Sequence, residues 1–214
     1  MSVNRIPVEV KSSRKSILIK IYQYYRLSCA FLFLALFARW LVLFPLVSSK
    51  WLPGGIHGFL TYLLGLSAVG EILWVLRYHG IVGGLKTGTF WKSCNFLYFV
   101  MAMHFYDDYE HAPILKDLSY SIFIVSLALN QAYFHYRKLF KSTGSRRSLW
   151  RKIDMFALLP ALYASEFYLL LLNVQNHNFH TSPGLDKLNK AVLIAYIPVA
   201  LHCYKVQLQA FQRE

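Results

Sequence analysis

The chain has 214 residues, of which 56% are hydrophobic, 17% aromatic and only 15% charged, with a formal net charge of +13. Soluble domains carry about 25% charged residues, so this balance argues against a water-soluble globule. The basic residues cluster between apolar runs, which is the pattern of positive-inside loops and argues against nucleic-acid binding.

In chain order the N-terminal residues 1–26 are basic and polar, with six Lys and Arg. The first apolar run, Leu27–Val47, has no small-residue cleavage site after it and is expected to stay as a membrane anchor. Five further runs follow: Ile56–Leu76, Ser93–Tyr106, Leu118–Tyr136, Ile153–Val174 and Lys190–Tyr204. The third and sixth are shorter than the ~20 residues usual for a span, so a four-span chain is the rival arrangement. Loop charge separates the two. With six spans and both termini cytosolic, 18 Lys and Arg fall on the cytosolic side and 4 on the far side. Dropping the short runs moves the stretch 137–152, with its seven cations, to the wrong face. A thin, endoplasmic-reticulum-like bilayer accommodates the short spans. The expected fold class is therefore all-α, a polytopic membrane protein of about six transmembrane helices. Its divisions are a basic segment 1–26, a membrane domain 27–204 and a cytosolic tail 205–214.

Three kinds of residue stand out within this scheme. Cys29, Cys94 and Cys203 fall near the reducing face, where no disulfide is expected; packing and S-palmitoylation are the two readings. Pro45, Pro160 and Pro198 lie in spans and are expected to kink them. Arg39, Glu71 and Glu166 lie in apolar runs, where a lone charge costs about 2.5–3.5 kcal/mol at mid-bilayer. At a helical rise of 1.5 Å per residue, Arg39 and Glu166 are level, roughly 18 and 20 Å deep, and are expected to pair. Glu71 is only roughly 8 Å from the cytosolic end.

The stretch HFYDDYEH, residues 104–111, closes the third run. In a continued helix His104, Asp107, Asp108 and His111 share one face. Two imidazoles and a carboxylate fit a zinc or iron site. His57, His177 and His180 fall on the same side of the membrane. The other readings are a solvated helix end and a lumenal partner surface formed by His104, Asp107, Asp108, Glu110 and His111. No nucleophile, base and orienting group are arranged together, and the repeated histidine boxes of a membrane di-iron enzyme are missing. The reading favoured is binding rather than reaction, with no cofactor or metal.

Three stretches, LVLFPLVSSKWLPGGIHGFL (41–60), NFLYFVMAMHFYDDYEHA (95–112) and NKAVLIAYIPVAL (189–201), together resemble the small fungal endoplasmic-reticulum membrane proteins of cell-wall β-1,6-glucan synthesis. The resemblance implies a non-enzymatic role in support of Kre-type glucan-assembly proteins, membrane-anchored partners with a lumenal domain. It brings no catalytic residues. The alternatives are a membrane enzyme acting on lipid or glycan at the lumenal His/Asp stretch, and a small transporter using Arg39, Glu71 and Glu166.

Overall fold

The structure is a computed structural model that describes residues 8–104, 113–140, 149–175 and 183–213. All the regular structure among the described residues is helical. A first helical run, α1 (Val8–Leu85), leaves helical geometry at Ser48, with φ of 61°, and at Gly80, with φ of 69°. Ser48 is the corner of a helical hairpin. Positive φ is rare outside glycine, and one such residue reverses the chain without a loop. Pro53 then falls five residues into the second arm. The arms run antiparallel in a register symmetric about that corner. Arg26 meets Glu71, Tyr25 donates to the Ser67 carbonyl, and Leu43 packs at Gly55. Gly70 permits the close approach of the arms, because a Cβ there would fall 2.6 Å from the Tyr25 ring.

A tight turn follows, held by Thr87 donating to the Gly84 carbonyl and Trp91 donating to the Leu85 carbonyl. The helix α2 (Gly88–His104) has 17 residues, about 26 Å of rise. A 3-10 turn (Pro113–Lys116) leads to α3 (Leu118–Leu139), whose start is capped by Asp117 accepting from the Ser119 N–H. Next, α4 (Leu149–Ile153) passes through a π turn (Asp154–Leu158) into α5 (Leu159–Gln175). Pro160 explains the π turn: its ring crowds the Phe156 carbonyl and offers no N–H to it, so the preceding turn widens. The last helix, α6 (Pro183–Arg213), has 31 residues, about 46 Å, and contains Pro198.

Side-chain pairs fix the packing of the later helices. Phe99 stacks on Phe123 at 4.3 Å and Lys92 reaches Asn130, so α2 and α3 are antiparallel. Glu166 with Tyr196, Tyr163 with Gln207 and Phe156 with Phe211 set α5 against α6 in the same sense. The core gathers Phe33 and Leu36, Leu60 and Leu64, Phe96 and Phe99, Phe123 and Leu127, and Leu162 and Leu169. The outer surface is also apolar, with Phe31, Leu46, Leu66, Ile81, Val82 and Ile194 exposed. An apolar exterior around an interior that holds polar groups suits a lipid solvent.

Four helical segments are long and apolar enough to cross a membrane: Ile17–Ser49, Trp51–Leu85, Leu149–Gln175 and Lys187–Gln209. They differ from the four-span arrangement weighed in the sequence, because the sixth run is a full-length helix and the fourth, Leu118–Tyr136, is not among them. The run at 48–55, read there as a loop, is helical except at its corner, and residues 8–26 continue directly into the first apolar run.

Candidate functional site

The buried polar side chains form groups at different heights. The largest lies at the end of the bundle where α3 finishes and α4 begins. Arg26, 2% exposed, makes a two-pronged ion pair with Glu71, with Nη1–Oε1 at 2.6 Å and Nη2–Oε2 at 2.8 Å. The same guanidinium donates to Tyr22 at 2.6 Å and to Nδ1 of the fully buried His135 at 3.1 Å. An accepting Nδ1 puts the imidazole proton on Nε2. Tyr22, Tyr25 and Trp74 pack their rings around the pair. Two arms of α1 and the end of α3 are thereby joined through one guanidinium, whose planar fork matches a carboxylate.

Beside this pair lies a second set. The Lys92 ammonium donates to Asn130 Oδ1 at 3.3 Å, and Asn130 Nδ2 donates to Asp154 Oδ1 at 2.7 Å. Gln131 donates to the same Asn130 oxygen at 3.2 Å. The ring of Phe134 is flanked by Lys92, Lys138 and Arg26, at 4.5, 4.6 and 5.3 Å from its centroid.

Deeper in the bundle, Glu166 is 1% exposed and accepts from Asn95 at 2.6 Å and from Tyr196 at 2.8 Å. Near it, Tyr98 donates to Asn189 at 2.7 Å. These bonds link α2, α5 and α6. At the opposite end of the bundle from Arg26, His57 Nδ1 lies 2.8 Å from the Tyr120 hydroxyl, both groups buried. His57 is thus a core histidine joining α1 to α3 and not part of a lumenal surface.

Arg39 and Glu166, matched by depth in the sequence, have separate neighbours. Arg39 is exposed, with its guanidinium 5.9 Å from the Phe59 ring, while both Glu166 oxygens are taken by Asn95 and Tyr196. Depth fixes height and not azimuth. The inward line of the first arm is Arg26, Cys29, Ala30, Phe33 and Leu36, and Arg39 falls off it. Arg26 is the functional residue that charge counting misses, since it reads as the end of the basic segment. Its signal is helical phase with the apolar residues that follow.

Of the 104–111 stretch, His104 is the last residue of α2; Asp107, Asp108, Glu110 and His111 lie outside the described residues, as do His177 and His180. Among the described residues no three His, Cys, Asp or Glu side chains gather as a metal site. All three cysteines are unpaired; Cys29 is buried, which favours its packing role, and Cys94 and Cys203 are partly exposed.

No family model matches the chain, and no solved structure matches it. Over 187 residues it is 56% identical to the beta-1,6-glucan synthesis-associated protein KEG1 of Saccharomyces cerevisiae, covering 87% of this chain and 94% of that protein. The chain belongs to that family. The family resemblance of residues 41–60, 95–112 and 189–201 is borne out at this identity. Arg26, Glu71 and Glu166 are all engaged in bonds between helical segments, as expected of polar groups that hold a membrane bundle together.

Proposed function

We propose that the protein is a non-enzymatic partner or chaperone of the endoplasmic-reticulum membrane, supporting a cell-wall β-1,6-glucan synthesis protein that carries a lumenal domain. It crosses the bilayer six times with both termini cytosolic, and His104, Asp107, Asp108, Glu110 and His111 face the lumen as the partner surface. The observation that carries this reading is the 56% identity to a protein named for association with glucan synthesis, spread over 94% of that protein's length. The engagement of Arg26, Glu71, Asn95, Glu166 and Tyr196 in bonds to one another supports it, since groups so used serve to fix helices.

The test is recovery of the glucan-assembly protein with the tagged chain from membranes in mild detergent. Asp107→Asn with Asp108→Asn keeps shape and removes two charges, and rim charges steer encounter. That double variant should lower recovery severalfold, with His104→Gln and His111→Gln milder. A metal site gives the reverse ranking, because loss of a ligand removes the ion. Stoichiometric metal in the purified protein that disappears in His111→Gln would overturn the proposal.

A further inference from the structure

The end of the bundle around Phe134 carries more positive charge than the helix contacts use. Glu71 is paired with Arg26, and Asp154 is bonded by Asn130. Among the described residues neither Lys92 nor Lys138 lies within ion-pair distance of a carboxylate. Lys92 comes from the second turn of α2 and Lys138 from the last turn of α3. Both ammoniums lie less than 5 Å from the centroid of one ring, so they are less than 10 Å apart. Lys92 is held in place by Asn130 and is only partly exposed, whereas Lys138 is exposed. One cation is therefore positioned and the other is open to the surroundings. Cation–π attraction to the shared ring holds both ammoniums against it. Arg137 shares the last turn of α3 with Lys138 and raises the positive potential there.

We propose that Lys92 and Lys138, arranged on Phe134, bind the phosphate of an anionic phospholipid at this end of the bundle. The chemistry is that of an anionic phosphate attracted by two ammoniums held at one ring, with the exposed Lys138 free to swing toward it. The lipid source follows from the apolar exterior that flanks the site on both sides: Trp91 and Tyr136 are exposed there. Aromatic side chains of this kind favour the headgroup level. Basic pockets between helices at a cytosolic face suit such headgroups.

The experiment titrates the purified full-length protein in detergent with short-chain phosphatidic acid and counts bound lipid by native mass spectrometry. One lipid per chain is expected, with phosphatidylcholine binding far more weakly. Lys92→Gln and Lys138→Gln should each weaken binding about fivefold, corresponding to about 1 kcal/mol for each charge near the surface. Lys138→Arg should retain binding. Lys138 is exposed at a helix end, so its variants keep the fold and the test stands even if Lys92→Gln does not express. The exposed Lys152 is the control, and Lys152→Gln should leave binding within twofold. Equal weakening by Lys152→Gln and Lys138→Gln would overturn the site in favour of diffuse attraction by the basic stretch. Inorganic phosphate competing as well as the lipid would overturn the lipid source, and unchanged binding in Lys138→Gln would overturn the proposal altogether.

Discussion

The helices α3 and α6 invert the rule that holds in water. The helix α3 carries Ser119, Ser121, Ser126, Asn130, Gln131 and His135, and all of them are buried. The more uniformly apolar span of α6 is almost entirely on the outside, with Ile194 78% and Leu201 64% exposed. In lipid an apolar side chain gains nothing by leaving the surface, while a polar one must find a partner inside. The helix that buries the most polar side chains is therefore the central one. It is held by both arms of α1 and by α5, with Tyr120, Phe123, Ile124 and Leu127 wholly buried between them. The helix α3 is less uniformly apolar than α6 because its side chains meet protein neighbours, whereas most of those on α6 face outward.

The strongest way to break this contrast is to strand a charge against α3. Arg26→Ala leaves Glu71 buried without its counter-charge and His135 without its donor. Removing one member of a buried ion pair costs about 3–5 kcal/mol. The thermal midpoint in detergent should fall sharply, and replacing both partners, Arg26→Leu with Glu71→Leu, should recover most of the loss. A double variant as unstable as Arg26→Ala would mean that the pair does not act as a unit.

Glu166 gives a smaller effect, because its partners are neutral. Glu166→Leu leaves the Asn95 amide and the Tyr196 hydroxyl without their acceptor, at about 1–3 kcal/mol. Glu166→Gln keeps an acceptor and should stay within about 1 kcal/mol of the parent in the same thermal assay. Equal losses for the two variants would show that charge, and not hydrogen bonding, matters there.

The smallest effect belongs to α6. Ile194→Ala with Leu201→Ala removes side chains that touch little of the bundle, so stability should change by no more than about 0.5 kcal/mol per site. A loss of 2 kcal/mol or more would mean that this face is covered by protein and that the contrast with α3 is false.

Much of this was legible from the sequence. Apolar runs of helical length place the six long helical segments among the described residues and the all-α class. Three features were not legible. The corner at Ser48 reads as a loop because SSKWLPGG is rich in turn formers, yet one residue with positive φ makes the turn and helix continues on both sides. The length of α6 is hidden because Lys205, Gln207, Gln209, Gln212 and Arg213 interrupt the apolar run, yet Gln, Lys and Arg sustain a helix without being apolar. The partners of the buried charges are hidden for a geometric reason. Counting residues gives the height of Arg39 and Glu166, whereas pairing depends on which way each helix face turns. Glu166 finds Asn95 and Tyr196, two neutral residues on distant segments that no charge count would select.

The six-span proposal requires α2 and α3 to cross the membrane beside the four more apolar helices. Cysteine accessibility in a background lacking Cys29, Cys94 and Cys203 tests it most directly. Single cysteines at Lys86, Ala112 and Ser145 bracket the two helices. The account predicts that Lys86→Cys and Ser145→Cys react with a membrane-impermeant thiol reagent from the cytosolic side, and that Ala112→Cys reacts only once the lumenal side is opened. Reaction of all three from the cytosolic side would mean that α2 and α3 do not cross, and would contradict the six-span account and the lumenal partner surface together.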